Sequence, residues 1–222
     1  MKIVTTIPCD GGLSDLIGQL FDTSKSERSL QKSIGPSEIG GCRRRAWHRL
    51  QGDEPVNQTL GMAAFMGTAI HEKIERRLRE LDSDRFAVEI EVEHGGILGH
   101  VDLYDRVARE VIDWKTITLK KVRYFPSDQQ WLQVQIYGLL LVENGLPVDR
   151  VSLVGIPRDG SERDVVVRSQ EWRREVAEEG LVWLESLRGE LFAPEPERRV
   201  SFCRDYCQFW VESGLGGCPG IT

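Results

Sequence analysis

The sequence has few cysteines, lacks any long apolar run and carries no excess of positive charge, and each shortage excludes a class of protein. Five cysteines among 222 residues are too few and too unevenly placed for a secreted disulfide scaffold. No stretch approaches the roughly 18 consecutive apolar residues of a transmembrane helix, so we expect no membrane association. Because the net charge is −6, a polyanionic partner has to be held by a local basic patch or by a bound metal.

The composition that remains is that of an ordinary globular protein. Hydrophobic residues make up 40% of the chain and charged residues 29%, which argues against a largely disordered protein. Residues 1–8 are too few and insufficiently apolar for a signal peptide, so we expect a cytoplasmic protein with reduced thiols. We predict a lead-in segment over residues 1–35, a core over 36–192 and a cysteine-bearing tail over 193–222. The tail begins with a proline-rich linker at residues 193–196.

Hydrophobic periodicity predicts the order of the secondary-structure elements. Apolar residues recur at helical spacing in some segments and alternate with polar residues in others. The predicted helices span residues 13–21, 37–50, 62–81, 127–144 and 170–191, and the predicted strands span residues 86–92, 97–104, 110–115, 151–157 and 164–167. Ser37 is the expected N-cap of the second of these helices. This order predicts an α/β fold, in which a mixed central sheet is flanked by helices.

Two acidic residues and a lysine stand out on the predicted strands. Asp113 and Lys115 are two positions apart, so their side chains share one face of a strand, and a neighbouring strand can place Asp102 beside them. Two carboxylates with a lysine suit a hard divalent cation and an anionic substrate, and Mg²⁺ commonly takes one or two protein carboxylates. His71 would add a nitrogen ligand, which shifts the preference toward Mn²⁺. Lys115 can hold an attacking water or screen developing negative charge.

Structural explanations of the same residues remain open. An Asp-x-Lys pair at a strand end is commonly an exposed salt bridge of little energetic value. His71 alone can be an ordinary helix-face histidine, and Gln133 and Tyr137 can form the polar edge of an apolar helix. Asp102 is harder to explain in this way, because it lies between Val101 and Leu103, and a lone carboxylate in an apolar strand is costly unless it is paired or bound to metal.

Four short motifs follow one another along the chain: Gly67-x3-His71, Gly99-x2-Asp102, Asp113-x-Lys115 and Gln133-x3-Tyr137. In this order and spacing they resemble the signature of the PD-(D/E)XK nuclease superfamily. The resemblance is closest to the RecB-like exonuclease branch with an iron–sulfur cluster, which includes CRISPR-associated and phage exonucleases. Val101 stands where the superfamily name has proline. The resemblance implies a PD-(D/E)XK restriction-endonuclease-like core, with His71, Asp102 and Asp113 as metal ligands, Lys115 as the catalytic lysine, and Gln133 and Tyr137 as supporting catalytic residues near the scissile phosphate.

The cysteines form a second constellation. Cys203, Cys207 and Cys218 are clustered in the tail, and Cys42 lies far upstream. A zinc ribbon normally offers two local pairs of ligands, and buried free cysteines acting as small hydrophobes are a further alternative. The arrangement resembles the four cysteines that hold a structural [4Fe–4S] cluster in the iron–sulfur nucleases of this branch, with zinc as the second choice. Cys9 is a less favoured substitute for one of the four ligands. The resemblance implies a tail clamped to an N-terminal helix.

Local basic runs are the candidate nucleic-acid contacts: Arg43, Arg44, Arg45 and Arg49 beside Cys42, and Lys120 and Lys121 after the third strand. Such runs bind phosphates in a salt-dependent manner, although each can equally be a solvated face. The resemblance implies a metal-dependent DNA exonuclease that acts on single-stranded or end-resected DNA in recombination or DNA processing. The alternatives are a structure-specific endonuclease of the same fold and a catalytically idle iron–sulfur DNA-binding module. A recombinase, helicase or integrase partner is expected by family analogy alone.

Overall fold

A computed structural model describes residues 34–57, 61–81 and 84–222. The predicted helix over residues 13–21, almost all of the predicted lead-in segment and Cys9 lie outside these described residues. Within the described part of the chain, no helix combines the length and the apolar character that a membrane crossing requires.

The described residues form helices and strands in the predicted order. The α-helices are α1 (Arg43–Gln51), α2 (Met62–Arg79), α3 (Asp128–Glu143), α4 (Arg174–Arg188) and α5 (Val200–Tyr206). The strands are β1 (Phe86–His94), β2 (Ile97–Asp105), β3 (Glu110–Ile117), β4 (Arg150–Pro157) and β5 (Val166–Glu171). Short 3-10 helices span Leu119–Tyr124 and Glu162–Asp164.

The strands form one mixed sheet. Its five strands lie in the order β1-β2-β3-β4-β5. Neighbouring strands are antiparallel except for β3 and β4, which are parallel and are therefore joined by a crossover that contains α3. Helices α2 and α3 pack on this sheet, and α4 packs on α3. The predicted α/β fold, a mixed central sheet flanked by helices, is confirmed.

Helix α3 forms the centre of the core. Its N-cap is Ser127, which exchanges side-chain and backbone hydrogen bonds with Gln130 in a capping box. The helix ends at Asn144, and Gly145 follows with a φ of 84°, a left-handed conformation that glycine adopts without strain. All residues from Gln133 to Leu141 are buried, because the sheet covers one side of the helix and α4 covers another.

Two predicted helix boundaries are wrong. Ser37 is not an N-cap: residues 36–40 form turns, and α1 begins at Arg43 after Gly40, whose left-handed φ of 74° interrupts a helix. The last long helix begins at Arg174 and not at residue 170. Gln170 and Glu171 belong to β5, since they pair with Val151 and Arg150 of β4. Strand pairing therefore outweighs the helical periodicity of this segment.

The C-terminal residues lie against α1 and the chain that follows it. The backbone N–H of Arg43 donates to Oε2 of Glu197 at 2.8 Å, and the indole of Trp47 donates to the carbonyl oxygen of Glu190 at 3.0 Å. The backbone N–H of Asn57 donates to the carbonyl oxygen of Gln208 at 3.0 Å. These contacts join segments that are about as far apart in sequence as the described chain allows.

Candidate functional site

The site begins where β2 and β3 separate. Their pairing ends at Leu103 opposite Ile112, and Asp102 and Asp113 are the next residues on the two strands. Beyond this point the Oδ2 atom of Asp102 accepts a hydrogen bond of 2.9 Å from the backbone N–H of Trp114. The carboxylate therefore satisfies a donor that the strand ladder has released. The end of the ladder thus places two carboxylates side by side.

Asp113 is the most deeply buried group of the site, with 2% of its surface exposed. Its Oδ1 atom accepts a hydrogen bond of 3.2 Å from Nε2 of Gln133. Its Oδ2 atom lies 2.8 Å from Nζ of Lys115, an ion pair without hydrogen-bond alignment, and accepts no hydrogen bond from any described residue. Burial raises the pKa of Asp113 to about 6, with a smaller raising effect from the charge of Asp102, and the Lys115 ammonium opposes the shift.

His71 faces Asp102 from helix α2. Its Nδ1 atom lies 3.6 Å from Oδ2 of Asp102, and this interaction is the main reason why the pKa of His71 is raised, although burial opposes the shift. One turn earlier in the helix, a Cβ atom on Gly67 would lie 3.3 Å from Oγ1 of Thr116. Glycine at this position therefore lets α2 approach β3 closely, which brings His71 to the carboxylates.

Glu89 is a further residue of the site that the sequence analysis missed. One ligand atom from each of His71, Glu89 and Asp102 lies within 4.8 Å of the others, and among the described residues this is the one such cluster of histidine, cysteine or acidic side chains. The position of Glu89 follows from the turn at Gly95-Gly96, which joins β1 to β2. The pairing of these strands sets Ile90 opposite Val101 and so places Glu89 beside Asp102. Counting residues back from the turn along the two predicted strands would have identified Glu89 as a neighbour of Asp102.

Gln133 and Tyr137 close the site from helix α3. They lie one turn apart, both are buried, and Nε2 of Gln133 is 3.4 Å from the hydroxyl oxygen of Tyr137. A Cβ atom on Gly99 would lie only 2.8 Å from the Tyr137 ring, so glycine makes room for it. The structure thus brings together every residue of the predicted acidic site, while the role of each residue in a reaction remains a prediction.

The donor atoms of this site fit a divalent cation. Carboxylate oxygens are the ligands that Mg²⁺ prefers, and the imidazole of His71 adds a nitrogen that also suits Mn²⁺. Asp113 contributes a buried oxygen that accepts no hydrogen bond from the described residues and lies 2.8 Å from the Lys115 ammonium, so a bound metal ion could share its charge with that ammonium. His71, Glu89 and Asp102 could hold such an ion, with Asp113 beside them.

The four predicted cluster cysteines also come together. Cys203, Cys207 and Cys218 are buried and Cys42 is partly buried. Burial raises the pKa of Cys203 to about 11, and the charges of the nearby Cys207, Cys218 and Cys42 add to the shift. No three thiols among the described residues lie within 4.8 Å of each other.

The arginines beside Cys42 make contacts within the protein. Arg44 donates to the carbonyl oxygens of Pro194 and Gly217, at 2.9 and 3.1 Å. Arg43 forms an ion pair with Glu190, and Arg45 and Arg49 form ion pairs with Glu38. Lys120 and Lys121, by contrast, are exposed and have no ion pair with any described residue. Binding of nucleic acid by either group remains a prediction.

Comparison with known proteins places the fold. No protein-family model matches the sequence, and no curated protein is significantly similar to it. The crystal structure of SSO0001 has a TM-score of 0.54 at 20% identity, covering 96% of this chain and 100% of that chain. LHK-Exo in complex with dAMP has a TM-score of 0.51 at 12% identity, covering 70% of this chain and 86% of that chain. A second structure, of LHK-Exo as an alkaline exonuclease from Laribacter hongkongensis, has a TM-score of 0.48 at 13% identity, covering 77% and 92%.

The chain therefore shares its fold with SSO0001 and LHK-Exo, and membership of the PD-(D/E)XK nuclease superfamily, which the four sequence motifs predict, remains a prediction. The iron–sulfur branch within the superfamily remains a prediction.

Proposed function

We propose that this protein is a metal-dependent deoxyribonuclease that hydrolyses phosphodiester bonds. The observation that carries the proposal is the buried pair Asp102 and Asp113 on adjoining strands, with Lys115 at 2.8 Å from Asp113. Ion pairs of this kind are weak sources of stability when they are buried. The raised pKa of Asp113 indicates that its charge is unfavourable in the metal-free protein. A carboxylate kept at such a cost is a candidate for chemistry.

The residues of the site have separable tasks in this reaction. A divalent cation bound by the carboxylates would lower the pKa of an attacking water and neutralise negative charge on the phosphate. The hydrogen bond from Trp114 holds Asp102 in place, and the hydrogen bond from Gln133 holds Asp113. The ammonium of Lys115, 22% exposed, can reach a water or a phosphate oxygen while it remains beside Asp113.

DNA is the substrate that we propose, and the mode of cleavage is exonucleolytic. The neighbour LHK-Exo was solved with dAMP, a DNA mononucleotide, which supports a nucleotide in the corresponding site of this chain. We propose single-stranded or end-resected DNA as the form that is cut, in recombination or DNA processing. This narrower proposal derives from the resemblance of the sequence motifs to the RecB-like branch.

A structural [4Fe–4S] cluster is the second part of the proposal, with Cys42, Cys203, Cys207 and Cys218 as its ligands. Thiolate sulfurs are the usual ligands of such clusters. The order of the cysteines, one far upstream and three clustered in the tail, resembles that of the iron–sulfur nucleases and favours the cluster over zinc. The ligands come from the start of α1 and from the tail, so the bound group would tie these two segments together.

The experiment that tests the nuclease uses anaerobically purified protein with Mg²⁺ or Mn²⁺ on linear and circular single-stranded DNA. Asp113→Ala and Lys115→Ala are compared with the wild type, and Lys73→Ala, which removes an exposed lysine of α2, is the matched control. We expect metal-dependent loss of linear DNA with the wild type and the control. We expect no loss of DNA with the two site variants.

The other outcomes favour the alternatives. Cleavage of circles as well as linear strands would favour a structure-specific endonuclease. DNA binding without degradation by the wild type would favour a catalytically idle binding module, and the buried carboxylates would then need another explanation.

A further inference from the structure

A cavity of about 340 Å³ adjoins the end of strand β3. Its walls come from the end of β3 (residues 116–118), from the following 3-10 helix (Lys121 and Tyr124), from Phe125, from the start of α3 (Ser127 and Gln130) and from Arg158 after β4. This volume is at the small end of the range for ligand pockets, roughly 300–1,000 Å³. It therefore fits a single nucleotide unit better than a stretch of chain.

The cavity is lined in part by the end of β3, the strand that carries Asp113 and Lys115. Thr116, one of its lining residues, directly follows Lys115. Thr116 also lies against Gly67, which is one helical turn before His71 on the same face of α2. A ligand in this cavity is thus adjacent to the strand and the helix that carry the predicted site.

Two cations that line the cavity have no side-chain partner within the described part of the chain. Neither Lys121 nor Arg158 forms a side-chain hydrogen bond or an ion pair with another described residue. The backbone of Arg158 is nevertheless fixed, because its N–H donates to the carbonyl oxygen of Ile117 at 3.0 Å. This differs from the arginine run of α1, whose side chains contact carboxylates or carbonyls. Two unpaired cations on a concave surface favour a phosphate group.

An exposed aromatic ring stands beside these cations. Tyr124 has 68% of its surface exposed, and the guanidinium of Arg123 lies 4.5 Å from its ring centroid. The cation limits the freedom of the ring without burying it. An aromatic ring next to a phosphate-binding surface is the usual means of holding an unpaired base by stacking.

We propose that this cavity binds the nucleotide unit next to the scissile phosphate, with its base on Tyr124 and its phosphate on Lys121 and Arg158. The proposal rests on the proposed nuclease function, which it deepens by assigning the residues that hold one unpaired nucleotide of the substrate. The ligand is one deoxynucleotide, either free as a monophosphate or as part of a strand. Stacking on Tyr124 requires that this base is unpaired, so a strand must be single-stranded at this point.

Binding is measured without catalysis, in EDTA, with two probes: a deoxynucleoside 5′-monophosphate and a short single-stranded oligonucleotide. We expect the double variant Lys121→Gln/Arg158→Gln to raise the dissociation constant of both probes at least about tenfold. We expect Tyr124→Leu to weaken the oligonucleotide by about fivefold or more. The same variant should bind an abasic oligonucleotide as the wild type does, which a merely structural role for Tyr124 would not produce.

The matched control is Arg106→Gln/Arg163→Gln, which removes the same charge from exposed positions outside the cavity. An equal loss of affinity in this control would overturn the proposal, since it would reveal a general charge effect. If the cavity variants kept their affinity while the wild type degraded DNA, the proposed nucleotide site would be wrong. The proposed nuclease function would still stand. Cavity-dependent binding by a protein that cuts no DNA would support the cavity and contradict the nuclease.

Discussion

The Oδ2 atom of Asp102 accepts a hydrogen bond of 2.9 Å from the backbone N–H of Trp114, across the point where β2 and β3 stop pairing. Trp114 lies between Asp113 and Lys115, so this bond fixes the spacing between the two halves of the site. Asp102 therefore has a structural role and, in the proposed reaction, a chemical role, and substitutions can separate the two.

Asp102→Asn separates these roles, because an amide oxygen can still accept from Trp114 while the charge is lost. We expect normal folding and a loss of DNA hydrolysis of at least about 100-fold. Asp102→Ala should lose activity and also about 1–3 kcal/mol of stability, since the Trp114 N–H is left without its partner. Thermal unfolding and hydrolysis of linear DNA, measured on both variants, test this. Equal melting temperatures for the two variants would contradict the structural role.

Glu89→Gln is expected to weaken the response to the metal. Glu89 lies with His71 and Asp102 in one cluster, and loss of a charged neighbour of this kind typically costs about 10- to 100-fold in metal affinity or activity. The Mn²⁺ concentration needed for half-maximal hydrolysis should therefore rise. Glu93→Gln is the matched control, because Glu93 is an exposed glutamate of the same strand. An equal effect in both variants would mean that Glu89 has no specific part in the site.

The predicted part of the site depends on local rules. Strand alternation places Asp113 and Lys115 on one face of a strand, and helical periodicity places Gln133 and Tyr137 on one face of a helix. Short sequence spacings were therefore enough to predict these two pairs. Glu89 was missed because its contribution depends on the register of the β1–β2 hairpin. That register was available from Gly95-Gly96, but only by treating the two strands as a pair.

The contacts of the arginine run could not be predicted in the same way. Arg44 contacts Pro194 and Gly217, which lie far away in the sequence, and the spacing of residues carries no information on such contacts. The start of α1 is a similar case. Its position depends on the left-handed backbone of Gly40, where a Cβ atom would lie 2.7 Å from the side chain of Leu132 in α3.

Arg44→Ala tests whether this run is structural. The guanidinium joins α1 to both ends of the tail through two carbonyl oxygens, so we expect a loss of about 2 kcal/mol and a melting temperature lower by about 4–8 °C. Arg106→Ala, at an exposed position, should melt as the wild type does. An unchanged melting temperature with weakened DNA binding would instead support the predicted nucleic-acid contact at Arg44.

Cys203→Ser is expected to remove the proposed iron–sulfur cluster. The variant purified without oxygen should lose visible absorption and bound iron, and the melting temperature should fall because the tail loses its link to Cys42. Cys9→Ser is the comparison, since the sequence makes Cys9 only a less favoured substitute for one of the four ligands, and this variant should keep the absorption and the iron. Iron and zinc analysis of the wild type separates the two candidate occupants, and stoichiometric zinc without iron would contradict the cluster.

Asp113→Asn should stabilise the metal-free protein at neutral pH. The pKa of Asp113 is raised to about 6 in the folded state, mainly by burial, so the folded protein binds this proton more tightly than the unfolded chain does. The stability that the proton provides is present below the ordinary pKa of 3.8 and is lost as the pH rises through about 6. In EDTA at pH 7.5, we therefore expect the variant to melt about 3 °C or more above the wild type.

The difference should disappear near the ordinary pKa, because the wild-type carboxyl is then protonated and resembles the amide. Asp105→Asn provides a control of opposite sign. Arg85 and backbone N–H groups lower the pKa of Asp105, so its charge stabilises the fold above its ordinary pKa, and its removal should lower the melting temperature at pH 7.5. If Asp113→Asn instead lowered the melting temperature at pH 7.5, the Lys115 ion pair would outweigh burial. The charge of Asp113 would then stabilise the fold, and its burial would give no support to a role in catalysis.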